Sequence, residues 1–202
     1  MLATLSPHAG RGSNHHSATV RDMVAPGVID SGCRPMLRFA VLLLSLALAA
    51  CSFQPPEQPS FYRDLAQPGA ELDSAAAASM ISGYRSNNGL PSVTLDPALT
   101  AMAQAQAEAM AKRDRLDHNV KKPFAARLKA AGYDPKRAAE NIGAGYHTLA
   151  EAFSGWRDSR PHNANMLLPG ATRMGIAAVY APSSKYKVYW TLIVAEPEDK
   201  KG

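Results

Sequence analysis

Cysteine is scarce in this chain of 202 residues, which contains only Cys33 and Cys51. Residues 1–35 are rich in glycine, serine and histidine and show no apolar periodicity. We expect them to be a misassigned or disordered extension, with Met36 as the biological start. Only Cys51 then remains, and a chain with one cysteine forms no internal disulfide. A hydrophobic core therefore has to stabilise the fold.

The chain also lacks an apolar run of the roughly 20 residues that a transmembrane helix needs. Its run from Phe39 to Leu48 is shorter, follows Arg38, and ends in Leu48-Ala49-Ala50-Cys51. This pattern is typical of a lipoprotein signal peptide over residues 36–50, whose cleavage leaves Cys51 as the lipidated amino terminus. A buried core helix and a secretion signal with an incidental cysteine are the alternatives. The prediction is an exported, membrane-anchored protein on the periplasmic or surface side, with the leaflet left open.

Strong charge of either sign is absent too. Four of the 22 basic and two of the 17 acidic residues precede Cys51, so the mature chain carries a net charge of +3. Such a small excess does not indicate a nucleic-acid partner. The pairs Lys121-Lys122 and Lys136-Arg137 could contact anionic lipid or cell-wall polymers, although exposed basic pairs are usually solvated surface.

After Cys51 the sequence indicates one domain behind a tether. Residues 51–72 are polar and contain four prolines, which predicts a semi-extended spacer. Residues 73–197 have the length of a single domain with one core.

Two long helices are predicted in the first half of this domain. Asp73 is a plausible N-cap for the first helix, which Asn87-Asn88-Gly89 ends. Asp96-Pro97 opens the second helix, which runs to about Arg113 and leaves Asp117-His118 just past its end.

Shorter helices follow. Phe124 and Leu128 mark a third helix, and Thr148 with Glu151 predicts a capping box that opens a fourth helix. Pro161 then breaks the regular pattern, so His162 is expected to begin a turn-rich segment.

The last part of the domain predicts an antiparallel hairpin from residues 173–181 and 186–195. Apolar side chains occupy both faces of its second strand, with Trp190 and Leu192 on one face and Tyr189 and Ile193 on the other. Such a strand belongs to a sheet that is covered on both sides.

Three polar segments stand out between these elements. They are Asp117-His118-Asn119, Ala139-Glu140-Asn141-Ile142, and Trp156-x-x-Ser159-x-x-His162-x-x-Asn165-Met166-Leu167. Two imidazoles and a carboxylate brought together would form a polar site able to bind a metal, but spacing alone does not show that they meet.

In this order, the three segments resemble the CAP superfamily (cysteine-rich secretory proteins, antigen 5, pathogenesis-related 1), in its cysteine-poor bacterial SCP-like branch. The resemblance covers about Asp73 to Ala195 and includes Gly175, a turn, and a strand carrying Tyr189-Trp190. It implies an α/β fold, an α-β-α sandwich with a small central antiparallel sheet flanked by helices.

The resemblance also implies a cleft lined by His118, Glu140 and His162 and supported by Asn141 and Asn165. Many eukaryotic relatives carry a second glutamate where this chain has Ser159, so a four-residue His/Glu/Glu/His site is not carried over intact.

His118 and His162 are the candidate metal ligands. Catalytic zinc usually has three protein ligands, so a divalent metal such as zinc held by two histidines should be bound weakly. Structural roles are the alternatives: His118 as a surface or capping histidine, His162 as a capping group, and Asn165 as a tie between its turn and the backbone.

Glu140 and Ser159 are the candidate catalytic residues. Glu140 lies in an apolar neighbourhood and could act as a general base, or it could be a buried carboxylate bonded to backbone N–H groups. Ser159 could be a nucleophile with a histidine as base, but the chain has no G-x-S-x-G elbow.

Three kinds of function stay open. The leading hypothesis is a non-catalytic, envelope-anchored module that binds a lipid, a peptide or a cell-wall fragment. The alternatives are a metal-assisted hydrolase with Glu140 as general base, and a structural or interaction protein of the cell envelope.

Overall fold

The computed structural model describes residues 58–198. Residues 1–57 lie outside that range, including the predicted signal peptide and Cys51. The first element is a 3-10 turn at Ser60–Tyr62. The helices and strands then follow in this order: α1 Ser74–Asn87, β1 Thr94–Leu95, α2 Pro97–Arg113, α3 Phe124–Ala130, β2 Pro135–Ala144, α4 Leu149–Asp158, α5 Arg160–Met166, β3 Arg173–Tyr180 and β4 Val188–Pro197.

The four strands form one sheet in the order β1-β3-β4-β2. The predicted hairpin is confirmed, since β3 and β4 are antiparallel neighbours that pair from Arg173 with Ala195 to Tyr180 with Val188. β2 joins the other edge of β4 antiparallel, with Glu140 opposite Ile193. The short β1 runs parallel to β3, so the sheet is mixed and not wholly antiparallel as predicted.

Helices cover both faces of this sheet, which confirms the α-β-α sandwich. On one face, α2 packs on β3 and β4 through Leu99, Ala103 and Ile193. On the other face, residues of α1, α4 and α5 form a larger cluster with the sheet, and that cluster contains Ile81, Trp156, Met166, Ile176, Trp190 and Leu192. Neighbouring residues of β4 therefore serve two cores, as the apolar run on both faces predicted.

Close contact between α2 and β3 requires a glycine. A Cβ atom at Gly175 would overlap the backbone of Leu99 and Thr100. The missing side chain lets the helix approach the strand, and this approach fixes α2 in front of the sheet.

Local capping explains why α1, α2 and α4 begin where predicted. Asp73 Oδ1 accepts from Ala76 N–H at 2.9 Å, and Asp96 Oδ1 accepts from the N–H groups of residues 98 and 99. Thr148 and Glu151 form the reciprocal capping box. These side chains satisfy helix N–H groups that have no partner within the helix.

The prediction for His162 is wrong in its secondary structure. His162 lies within α5, not in a turn-rich segment, and Pro161 occupies the first turn of that helix. A proline is tolerated there because the first N–H groups of a helix have no intrahelical acceptor to lose.

The predicted tether also ends earlier than Leu72. Leu65 is only 4% exposed and belongs to the large core cluster, and its N–H donates to His147 O at 2.8 Å. Ser60 Oγ donates to Asp73 Oδ2 at 2.7 Å. Residues from Ser60 onward are therefore part of the folded domain. Within residues 58–198, no helix has the length and apolarity needed to cross a membrane.

Candidate functional site

Glu140 is a buried carboxylate with an arginine partner. Its side chain is 2% exposed, and Arg127 Nη2 donates to both of its oxygens, at 2.8 and 2.7 Å. β2 places Glu140 and α3 places Arg127, so the ion pair joins a strand to a helix. The structural alternative of a glutamate bonded to backbone N–H groups is wrong, because its partners are side chains.

His118 lies beside the same carboxylate. Its Nδ1 is 2.9 Å from Glu140 Oε1, while its side chain is 47% exposed. Its carbonyl oxygen accepts from Gln106 Nε2 at 3.2 Å and from Arg127 Nη2 at 3.3 Å. These hydrogen bonds connect the loop after α2 to α2 through Gln106 and to α3 through Arg127. One edge of the His118 imidazole faces solvent.

Two asparagines connect β2 with α5. Asn165 Nδ2 donates to Asn141 Oδ1 at 2.9 Å and to Glu140 O at 3.2 Å, and Asn141 Nδ2 donates to His162 O at 2.9 Å. Asn165 therefore ties α5 to the backbone of the neighbouring strand. This bracing sets where α5 lies relative to Glu140.

A buried arginine fixes the other end of α5. Arg85, on α1, is fully buried and donates to the carbonyl oxygens of Met166, Leu168 and Ala171, at 2.8, 3.0 and 2.7 Å. Burial lowers the pKa of its guanidinium below the usual value. The bond to Met166 O satisfies a carbonyl at the helix end, and the other two hold the segment that follows, so the helix that carries His162 is held at both ends.

His162 pairs with Ser159 within its own helix turn. His162 Nδ1 is 2.9 Å from Ser159 Oγ. Burial lowers the pKa of His162 below its ordinary value of 6.5, and the nearby His118 lowers it further.

Among the described residues, no carboxylate orients the imidazole of the Ser159–His162 pair. A nucleophilic serine needs a base that a third group orients, as well as donors for an oxyanion. No carboxylate of residues 58–198 hydrogen bonds to His162, and its Nδ1 is the nitrogen that faces the serine. The contact is that of an N-cap serine with the third residue of its helix.

Of the residues expected in the cleft, the structure joins His118 directly to Glu140, and it joins His162 to the Glu140 segment through the two asparagines. Within residues 58–198, no group of three His, Cys, Asp or Glu side chains has a geometry that could hold a metal ion. Metal binding by His118 and His162 stays a prediction.

Sequence reasoning missed Arg127 and Gln106. Arg127 is only 12% exposed, and Gln106 is 1% exposed, unusual burial for these residue types. Gln106 falls on the buried face of α2 between Ala103 and Met110, and this position is a signal that could have been used. Arg127 carries no comparable signal, since its partner lies 13 residues away on a strand that was not predicted.

A family model for CAP, the cysteine-rich secretory protein family, matches residues 78–194, more than half of the chain. The chain belongs to the CAP family. The match spans all three polar segments, which confirms the resemblance at the level of the family. It covers the domain and leaves the predicted lipidation untested.

One curated relative and two solved structures give the context of this CAP domain. The uncharacterized protein YkwD of Bacillus subtilis (strain 168) is 31% identical over 102 residues, which are 49% of this chain and 39% of that protein. The match thus covers well under two thirds of the length of that relative.

Among solved structures, an extracellular protein containing an SCP domain from Bacillus anthracis str. Ames has a TM-score of 0.53 at 21% identity, with coverage of 60% of this chain and 39% of that one. An outer surface protein from Borrelia burgdorferi has a TM-score of 0.56 at 14% identity, with coverage of 64% and 99%. At such identities the likeness supports the fold alone.

Proposed function

We propose that the protein is an exported lipoprotein, anchored through Cys51, whose CAP domain binds a ligand in the cleft between His118 and His162 without transforming it. The Leu48-Ala49-Ala50-Cys51 ending and the short apolar run before it support the anchor. The family and the extracellular origin that the name of the Bacillus anthracis neighbour states support export.

The observation that carries the binding role is the engagement of Glu140. A general base has to reach a proton of substrate or water, directly or through one water. Here the carboxylate is buried, both oxygens accept from Arg127, and one of them also lies against His118. Glu140 therefore acts as a fixed partner that orients His118, which favours binding over a general-base mechanism.

What the cleft offers a ligand is two oriented imidazoles. Each Nδ1 is occupied, by Glu140 for His118 and by Ser159 for His162, and neither Nε2 has a hydrogen-bond partner within residues 58–198. A carboxylate on the second ring nitrogen is also the arrangement that metal-binding histidines use. His118 and His162 would hold a divalent metal such as zinc through these nitrogens, and the metal would contribute Lewis acidity or a bridge to an anionic ligand.

The imidazoles of His118 and His162 are hydrogen-bonding groups, so they fit a ligand with hydroxyl and amide groups better than a purely apolar one. Among the three ligand classes, this favours a cell-wall fragment, which displays both. The low pKa of His162 supports the same choice, because a neutral imidazole can accept a hydrogen bond from a hydroxyl or amide.

The test is to incubate the purified protein with a panel of cell-wall glycopeptides, peptides and esters and to measure binding by calorimetry and turnover by mass spectrometry. We expect saturable binding of a cell-wall fragment without turnover. The His118→Ala/His162→Ala variant should lose this binding, whereas His147→Ala should keep it, because His147 is exposed and outside the cleft.

Two outcomes would contradict the proposal. Turnover that disappears in Glu140→Gln would show a hydrolase. Absence of binding to the whole panel, together with a defined envelope protein that binds equally to the wild type and to the double histidine variant, would show an interaction protein.

A further inference from the structure

Tyr189 is a fully buried residue of β4 whose hydroxyl reaches the end of α2. This hydroxyl donates to Asp114 Oδ1 at 2.6 Å. Asp114 is the C-cap of α2, so the loop that carries His118 begins at this residue. A side-chain hydrogen bond therefore joins β4 to the start of the His118 loop.

A serine in the turn between β3 and β4 supplies a second donor to the same oxygen. Ser184 is 4% exposed, its Oγ donates to Asp114 Oδ1, and the same Oγ accepts from Tyr186 N–H at 3.0 Å. The hydroxyls of Ser184 and Tyr189 hold the pKa of Asp114 below its usual value, so the carboxylate stays charged. Hydrogen bonds to a charged acceptor are stronger than those between neutral groups.

The backbone of Asp114 gives these hydrogen bonds a geometric role. Asp114 has a φ of 48°, in the left-handed region that few residues other than glycine, asparagine and aspartate adopt. This conformation ends α2 and sets the direction in which the loop leaves the helix. The two hydroxyls therefore hold the residue that determines the path of the His118 loop.

The far end of the loop belongs to the same buried cluster as the Tyr189 ring. Val120 is 3% exposed, and it shares this cluster with Tyr189 and Ile142. Ile142 lies on β2, two residues after Glu140. The cluster thus joins the loop that carries His118 to the strand that carries its carboxylate partner.

We propose that Tyr189 is a positioning residue for His118. Its hydroxyl fixes Asp114 at the start of the loop, and its ring packs in the cluster that holds Val120 at the end of the loop. The imidazole between these two points is thereby kept against Glu140. The inference rests on the proposed function, because the cleft is the site that Tyr189 positions. Tyr189 itself is fully buried and acts only through the loop.

The test measures the tautomer of the His118 ring by nitrogen NMR in the ligand-free protein, at a pH where the imidazole is neutral. The Glu140 carboxylate can only accept, so its contact with Nδ1 favours the tautomer that carries the hydrogen on Nδ1. Tyr189→Phe removes the hydroxyl and keeps the ring. We expect this variant to lower the ratio of the Nδ1–H to the Nε2–H tautomer about threefold, the effect of one lost hydrogen bond on an equilibrium.

Three further variants show whether the hydroxyls act through Asp114. Ser184→Ala/Tyr189→Phe removes both donors and should lower the ratio further. Asp114→Asn keeps a side-chain oxygen that accepts from both hydroxyls, so it should retain the ratio of the wild type. Tyr186→Phe is the matched control, because Tyr186 is half-buried in the turn before β4 and its hydroxyl has no hydrogen-bond partner within residues 58–198.

An unchanged tautomer ratio in Tyr189→Phe, or an equal decrease in Tyr186→Phe, would overturn the inference. The spectra are recorded well below the unfolding temperature of each variant, because lost stability alone leaves the His118 tautomer of the folded protein unchanged. Zinc titration of the same proteins separates this inference from the proposed function. A wild type that binds no zinc would contradict metal binding in the cleft, whereas the tautomer ratio would still decide the role of Tyr189.

Discussion

Arg127 donates to both carboxylate oxygens of Glu140, at 2.8 and 2.7 Å, in a site where the glutamate side chain is 2% exposed. A buried charge without its partner is costly, because desolvation is no longer offset by attraction. Arg127 therefore stabilises the charge that orients His118, and the contact between His118 and Glu140 depends on a helix residue outside the three polar segments.

Loss of Arg127 should destabilise the fold more than loss of an exposed arginine. We expect Arg127→Gln to lower the free energy of unfolding by about 3–5 kcal/mol, the cost of breaking a buried pair. Arg137→Gln removes the pair with Glu196, in which the arginine is 52% exposed, and should cost about 0–1 kcal/mol. Urea denaturation of both variants measures the difference.

The double variant Arg127→Met/Glu140→Leu provides the control. Replacing both charges with apolar side chains should restore much of the loss, since no unpaired charge remains. Equal stability of Arg127→Gln and Arg137→Gln would contradict the account of a buried, coupled pair.

Trp156 and His118 should differ strongly in their effect on stability. Trp156 is 1% exposed, packs edge to face on Trp190 with ring centroids 6.3 Å apart, and donates to Ile142 O at 3.2 Å. Trp156→Ala should lower the free energy of unfolding by about 3–5 kcal/mol. His118→Ala should lower it much less, because His118 is half-exposed. Chemical denaturation tests the contrast, and equal losses would show that His118 is a core residue.

Local signals made much of the fold predictable. The caps at Asp73, Asp96 and Thr148 act on N–H groups two or three residues away, so the sequence alone locates the starts of their helices. The apolar side chains on both faces of β4 likewise predicted a sheet that is covered on both sides. Because β2 follows a helix and interrupts its apolar residues with Glu140 and Asn141, its strand character depends on pairing with β4 and was not predicted.

The site was predictable only in part for the same reason. His118 and Glu140 were named from the family pattern, and His118 Nδ1 lies 2.9 Å from Glu140 Oε1. Arg127, Gln106 and Arg85 act through contacts between separate elements. The position of Gln106 on the buried face of α2 indicates its burial, but no local pattern identifies the partners of these three residues. Pro161 misled the assignment of α5, because a proline reads as a helix breaker unless its position in the first turn is known.

Lipidation of Cys51 should control membrane association. Cys51→Ser removes the acceptor thiol, so the precursor should stay unprocessed or the protein should leave the membrane fraction. Fractionation with metabolic labelling by a lipid analogue measures both effects. Normal processing and membrane retention of the variant, without label in the wild type, would refute the anchor.

His162 should make stability depend on pH. Its folded-state pKa is lowered, so the folded protein binds fewer protons than the unfolded chain between that pKa and 6.5. The contribution of His162 to the free energy of unfolding is fully present above pH 6.5 and is lost as pH falls through the folded-state pKa. Urea denaturation at about pH 5 and about pH 8 should show a smaller difference in His162→Gln than in the wild type.

His147→Gln is the matched control for this pH dependence, because His147 is exposed. It should keep the pH dependence of the wild type. An unchanged dependence in His162→Gln would mean that burial does not perturb this imidazole.

Zinc titration tests most directly the central claim that His118 and His162 face one cleft. By calorimetry we expect weak binding that tightens as pH rises through the range in which the two imidazoles lose their protons, because ligating imidazoles have to be neutral. Binding should disappear in His118→Ala/His162→Ala and persist in His147→Ala. Zinc binding that is unchanged in the double variant would contradict the account.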